Sequence, residues 1–305
     1  MRSALLCAIT GLCATIALAQ TDVLGIDSHI EAGQRVMYEM QAASQAVATT
    51  PTPMPDTDQK ETQSLEIAKK LVNPVASVMS FPFINNLDLR LGPNQNGIRY
   101  TMNFQPLLPF KLNEHWNLIS RTIAPIIHQS DVVGHSSQTG LGDFLQSFFF
   151  SPRKTEPFIW GAGPALLIPT ATNILLGTGK LSVGPTLVIL RQQGGWTYGV
   201  LTNHVWSVAG VHTRSNVSST FLQPFLAYST KSGWTLNANS DSTKNWITGK
   251  WGVPINIFVT KLVRVAGKPV NMGGGARCWA TAPPGGPQGC GVRVNITLGS
   301  SRLAL

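Results

Sequence analysis

Hydrophobic and polar residues alternate along much of the chain. From Ile98 to Phe110 nearly every second residue is apolar, and the positions between are mostly polar, beginning with Arg99, Thr101, Asn103 and Gln105. Near the C-terminus, Val292, Val294, Ile296 and Leu298 alternate in the same way with Arg293, Asn295 and Thr297. Because successive side chains of a strand point to opposite faces, such stretches predict strands with one apolar and one polar face.

The alternation predicts twelve strands and no helix after residue 75. From the third strand onward the connections alternate in length, with short turns such as 113–115 and 193–195 and longer loops such as 129–140 and 169–180. Short turns at one end, long loops at the other and an even number of strands are typical of membrane-spanning β-barrels. The predicted strands cover 76–91, 97–111, 116–129, 140–151, 157–169, 181–192, 196–208, 217–229, 234–241, 251–264, 269–279 and 290–299.

A soluble β-sandwich would show the same alternation, with the apolar faces buried between two sheets. Two features favour an antiparallel barrel whose apolar faces meet lipid. The polar faces carry mostly uncharged hydrogen-bonding side chains, as a lumen would. Trp116, Trp196 and Trp234 follow short turns at one predicted rim, and Trp251 follows a longer loop at the other. Indole rings favour the headgroup level of a membrane, so we expect these four residues to form an aromatic girdle.

Composition further predicts that the chain is exported and where its domains begin and end. Charged residues make up 12% of the 305 residues, about half the usual fraction, so part of the surface is expected not to meet water. Residues 1–19 read as a signal peptide, and no later window is apolar enough to span a membrane as a helix. Residues 20–70 are expected to form a periplasmic arm in which a Pro-rich linker separates two short helices, and 71–305 the barrel.

The distribution of charged residues suggests which solutes the lumen would favour. Residues 71–305 hold 18 basic and 6 acidic side chains, a net +12, whereas the arm has a net charge of −4. Inward arginines would favour anionic or electron-rich solutes. Alternatively, the excess lysines bind lipid phosphates at the rims, as expected for Lys154, Lys180, Lys244, Lys250 and Lys268. The lumen-lining candidates are Arg99, Asn103, Gln105, Arg121, Asp143, Arg293 and Asn295.

Three points stay open at this stage. The acidic arm either plugs the barrel mouth or hangs as a periplasmic tail. Asp143 either faces a lumen arginine or caps a loop. Cys278 and Cys290, the two cysteines after the signal peptide, flank a predicted hairpin loop and form either a disulfide or two free thiols.

Catalysis, cofactors and nucleic acids find little support in the pattern. His204 follows Asn203 within a strand, so the two side chains face opposite ways and Asn203 is badly placed to orient the imidazole. We find no nucleophile elbow, no metal-ligand spacing and no basic-aromatic face typical of nucleic-acid binding. We therefore expect no enzyme activity, no cofactor, no metal and no nucleic-acid partner.

Several segments also resemble a known family. The motifs KKLVNPVASVMSFPF, WNLISRTIAPII, GLGDFLQSFFFSP, WGAGPALLIPTAT, GGWTYGVLTNHVWSVAG and FLQPFLAYST are similar to those of a family of Gram-negative outer-membrane proteins. Its members are described as transporter-like or porin-like, or as related to outer-membrane proteins of phenol-degradation pathways. The resemblance spans roughly 65–298, implies an outer-membrane barrel, and carries over no catalytic or binding residues.

Together these observations predict an outer-membrane channel. We expect passive or weakly selective passage of small solutes, including anionic or aromatic ones, with lipid and solutes as partners and a homo-oligomer as one option. Two alternatives remain: a non-conducting barrel whose long loops bind partners, and a soluble periplasmic β protein that binds lipid.

Overall fold

The computed structural model describes residues 56–154 and 157–303. The predicted signal peptide and the helix predicted near Ser28 lie outside these residues. The second predicted helix is present as α1 (Asp56–Val72). It begins eight residues before the expected start at Ser64, inside the predicted linker, and it ends two residues before Pro74, which disfavours helical backbone before it. No helix in the described residues is both long and apolar enough to cross a membrane.

The rest of the described chain forms one antiparallel sheet of fifteen segments. They are β1 (Val78–Leu91), β2 (Gly97–Phe104), β3 (Leu107–Lys111), β4 (Trp116–Ser130), β5 (Ser137–Leu141), β6 (Phe144–Pro152), β7 (Ile159–Ile168), β8 (Lys180–Gln193), β9 (Trp196–Gly210), β10 (Ser218–Ser229), β11 (Trp234–Ser240), β12 (Ser242–Asn245), β13 (Trp251–Val265), β14 (Lys268–Thr281) and β15 (Cys290–Leu303).

Fifteen segments make twelve strands because three strands are interrupted. Gln105 and Pro106 separate β2 from β3, Gly142 and Asp143 separate β5 from β6, and Asp241 separates β11 from β12. In each case both halves pair with a common neighbouring strand, so the halves form one spanning strand. Proline has no N–H to donate to the ladder, which accounts for the first interruption.

The sheet closes on itself. β15 pairs with β1, and every other strand pairs with its neighbours in the chain, so no edge is left unpaired. This confirms the predicted all-β, twelve-stranded antiparallel barrel with a partly helical N-terminal arm, and it excludes two stacked sheets. Closure also satisfies the backbone N–H and C=O groups without water, as a strand structure inside lipid requires.

Apolar side chains face outward from the barrel. On β13 the outward Ile257 is 55% exposed, whereas the inward Asn256 is fully buried. β15 shows the same alternation, since the outward Val292 is 51% exposed and the inward Arg293 only 3% exposed. The phase is the one predicted for a lipid-facing exterior.

The lumen is not polar throughout, which differs from the expectation. Strands β3, β4, β6, β8 and β9 turn apolar side chains inward and form one buried cluster with Val75 of the segment after α1. Filling this side of the barrel stabilises it by roughly 1.5–3 kcal/mol for each buried side chain. The members are Val75, Leu107, Ile119, Phe149, Val188, Leu190 and Leu201.

Candidate channel lumen

A network of two arginines and two carboxylates lies inside the barrel, towards the long-loop end. Arg277 on β14 donates from Nε to Asp88 Oδ1 at 3.0 Å and from Nη1 to Asp241 Oδ2 at 3.1 Å. Arg293 on β15 donates from Nη2 to the same Asp241 oxygen and from Nε to Asn86 Oδ1 at 2.8 Å. Two positive and two negative charges balance, so this network adds no net charge to the lumen.

The Asp241 side chain points inward because it keeps the two-residue phase of its strand. Asn237 and Asn239 point inward on β11, and the register with β10 and with β13 is the same on both sides of Asp241. The carboxylate reaches past β13 to arginines on β14 and β15. Gln223 and Asn256 also donate to it, at 2.7 Å and 3.3 Å.

Two further arginines lie inside the barrel without carboxylate partners. Arg99 on β2 donates from Nε to Gln129 Oε1 at 2.9 Å. Arg121 on β4 donates from Nη2 to Gln105 Oε1 at 2.9 Å. Among the residues that the structure describes, lumenal ion pairs involve only Arg277 and Arg293. Arg99 and Arg121 therefore make no ion pair within 4 Å, although Asp88 lies directly opposite Arg99 on β1.

The predicted lumen residues occupy different places. Asn103 lines a cavity near the long loops, and Asn295 lines one at mid-barrel. Asp143 faces no arginine; it accepts hydrogen bonds from Thr178 N and Oγ1 at 2.6 and 2.7 Å and from Ala171 N at 3.2 Å. It thereby holds the 169–179 loop, whose Leu176 carbonyl lies close to Gly142.

Sequence reasoning missed Asp88, Asp241 and Arg277. Asp88 lies in phase with the inward Asn86, so alternation alone would have placed it inside. Arg277 follows a run of three glycines that hid the alternation, whereas Asp241 lies in phase with the inward Asn237 and Asn239, so alternation alone would have placed it inside as well. Lys180, expected at a lipid-facing rim, is instead buried.

Four cavities follow one another through the barrel. Two wide ones, about 650 and 700 Å³, lie towards the long loops. A smaller one of about 160 Å³ lies at mid-barrel and includes Arg121 in its wall, and one of about 410 Å³ lies towards the short turns. The cavities at the long-loop end are therefore larger than the one at mid-barrel.

The end of α1 lies across the short-turn mouth. Gln192 on β8 donates from Nε2 to Lys69 O at 3.0 Å. Leu71 packs near Gly299 on β15, with its Cδ2 3.2 Å from where a Cβ on that glycine would lie. β8 and β15 are six strand positions apart in a twelve-stranded barrel, so α1 touches opposite walls. A further hydrogen bond joins Arg264 to Gln63 at 2.8 Å.

The girdle candidates lie where strands leave the turns. Trp116, Trp196 and Trp234 begin β4, β9 and β11 at the short-turn end, and Trp251 begins β13 at the other end. All four are exposed. The Lys261 ammonium lies 4.8 Å from the Trp234 ring centroid, an arrangement suited to a headgroup boundary.

Cys278 and Cys290 are directly opposite each other on β14 and β15 and form a disulfide with an S–S distance of 2.09 Å. The bond joins the two strands that carry Arg277 and Arg293.

Comparison with known proteins agrees with this architecture. No family model and no curated protein matches the chain. An outer membrane channel from Pseudomonas putida F1 has a similar structure, with a TM-score of 0.56, 16% identity and coverage of 73% of this chain and 94% of that chain. At this identity the likeness concerns the fold.

Two phospholipase structures match more weakly. Outer membrane phospholipase A from Escherichia coli gives a TM-score of 0.39 at 10% identity, over 74% of this chain and 97% of that one. The calcium-bound phospholipase dimer from Salmonella typhi gives 0.39 at 11%, over 77% and 96%. These scores carry no argument about function. The closed barrel, its apolar exterior and the fold that it shares with the Pseudomonas putida protein identify an outer-membrane β-barrel.

Proposed function

We propose that this protein is a narrow outer-membrane channel for small solutes that favours anions. The observation that carries the proposal is the series of cavities through the barrel, with Arg99 and Arg121 in their walls and no carboxylate paired to either among the described residues. Charge in a narrow low-dielectric passage is focused, so two unpaired arginines attract anions and repel cations.

The position of α1 makes the channel gated at its short-turn end. The helix spans the mouth from β8 to β15 and is anchored by a few hydrogen bonds, such as those of Gln192 and Arg264. Passage requires α1 to shift, whereas the ladder of the barrel stays intact. The plug that the acidic arm suggested is thus part of the proposal, with α1 as its described portion.

Planar-bilayer recording tests the proposal. Purified protein should give small unitary currents whose reversal potential in a KCl gradient shows anion preference, and deletion of residues 20–72 should raise the conductance. The absence of unitary current from both proteins would favour the non-conducting barrel instead. Phenol and benzoate added to the long-loop side test the aromatic solutes that the family resemblance implies, since a permeating or blocking solute changes the current.

A second candidate, a hydrolase on the outer wall, rests on one cluster. His204 Nδ1 lies 2.6 Å from the Thr220 hydroxyl, and His204 Nε2 lies 3.5 Å from Ser218 Oγ. Among the described residues no carboxylate orients the imidazole, so we propose a channel rather than an enzyme. Labelling by a fluorophosphonate that Ser218→Ala abolishes would reverse this choice. The homo-oligomer stays a prediction, which native mass spectrometry tests.

A further inference from the structure

The mid-barrel cavity has the size of a single-ring molecule. Its volume is about 160 Å³, and it lies between the end of α1 and the Asp241 network. An engineered apolar cavity of about 150 Å³ binds benzene, so a ring of that size fits here. It is also the smallest of the four cavities described above.

One side of the cavity carries a charge without a counter-ion. Arg121 is 8% exposed and lines the cavity. Its side chain donates a hydrogen bond to the neutral Gln105, and no carboxylate of the described residues forms an ion pair with it. A guanidinium has five N–H donors in a planar fork, so Arg121 keeps donors for a bidentate contact with a carboxylate.

The same cavity contains two acceptors without donors. Asn271 on β14 is 7% exposed, and its Oδ1 has no hydrogen-bond partner; the buried Oδ1 of Asn295 on β15 also has none. Both residues line the cavity. Because buried polar atoms are nearly always satisfied, these two acceptors on neighbouring strands are free to accept from a bound molecule when their amide groups rotate towards the cavity.

Apolar side chains occupy the remaining wall. Phe225 on β10, Phe258 on β13 and Ile84 on β1 all line the cavity. Aromatic walls suit a flat ring, which packs by offset or edge contacts. One cavity wall thus combines a cation, two amide side chains and an apolar surface.

We propose that this cavity binds a monocyclic carboxylate that also carries a hydroxyl, of the hydroxybenzoate class. The carboxylate pairs with Arg121, the hydroxyl donates to Asn271 or Asn295 Oδ1, and the ring packs against Phe225 and Phe258. The inference names a solute class for the proposed channel and in that sense rests on the proposed function.

Isothermal titration of the purified, detergent-solubilised full-length barrel tests the inference with four probes: 4-hydroxybenzoate, benzoate, phenol and benzylamine. We expect 4-hydroxybenzoate to bind best, benzoate and phenol more weakly, and the cationic benzylamine not at all. Arg121→Gln should weaken the binding of 4-hydroxybenzoate about tenfold or more, as expected for the loss of a charge-assisted contact. Asn271→Leu should weaken the binding of 4-hydroxybenzoate but leave the affinity for benzoate unchanged.

Arg191→Gln is the matched control, because Arg191 faces outward on β8, near Phe158, and its loss removes the same charge outside the lumen. Equal binding of 4-hydroxybenzoate and benzylamine, or equal binding by wild type and Arg121→Gln, would overturn the inference. If Arg121→Gln does not fold, as judged by heat-modifiable gel mobility, the probe series on wild type and on Arg121→Lys decides.

The two proposals fail separately. Anion-selective conductance without saturable binding of 4-hydroxybenzoate keeps the channel and rejects the site. Saturable binding lost in Arg121→Gln, from a barrel that conducts no ions, keeps the site and rejects the channel.

Discussion

Replacing Asp241 by Asn should destabilise the barrel strongly while keeping the side chain's shape. The Asp241 carboxylate is 18% exposed and pairs with two arginines whose side chains are 9% and 4% exposed. Each pair is worth about 4 kcal/mol of Coulomb attraction at 4 Å and an effective dielectric constant of about 20. In the variant, Arg277 keeps Asp88, but Arg293 retains only neutral partners such as Asn86 and Asn239.

We expect a loss of about 3 kcal/mol in unfolding free energy, the lower end of the range for breaking a buried pair, because Arg277 keeps one carboxylate. Urea unfolding in detergent micelles, followed by Trp fluorescence, measures it. Asp131→Asn is the control, since Asp131 pairs with His135 on the exposed surface. This variant should lower the free energy of unfolding by less than about 1 kcal/mol. An Asp241→Asn variant no less stable than Asp131→Asn would refute the reasoning. The added net positive charge should also raise anion selectivity.

Two other predictions concern the gate and the lipid face. Gln192→Leu removes the hydrogen bond to Lys69 O, worth about 1 kcal/mol, so single-channel recording should show a roughly fivefold rise in the ratio of open to closed time. Gln193→Leu, on the outward side of the same strand, should leave that ratio unchanged. Ile257→Lys, outward at the middle of β13, should cost about 2–4 kcal/mol in lipid vesicles, whereas Val265→Lys at the rim should cost about 0–1 kcal/mol. Equal costs at the two positions would contradict a lipid-facing middle.

Alternation predicted the fold because each face meets one solvent. The inward Arg99 and the outward Ile98 follow directly from the two-residue period, and so does the phase of β15. The lengths of the connections predicted which ends of the strands lie together, since short turns can join only adjacent antiparallel strands. The four tryptophans at strand starts needed no tertiary information.

Other features depend on contacts between distant residues, which a local pattern does not contain. Asp241 and Arg293 are 52 positions apart, so no local pattern predicts that they pair. The glycine run of β14 allows close packing, since a Cβ on Gly273 or Gly275 would overlap carbonyl oxygens of β13. The inward apolar cluster was missed because an apolar residue next to lipid and one inside a narrow barrel look alike in sequence.

Spin-label accessibility along residues 292–298 in lipid vesicles tests the central claim most directly. Cysteine-linked labels at Val292, Val294, Ile296 and Leu298 should be reached by oxygen dissolved in lipid and not by a water-soluble nickel complex. Labels at the inward positions 293, 295 and 297 should lack oxygen accessibility, giving a two-residue period. Loss of that period, or its opposite phase, would contradict an exterior that faces lipid.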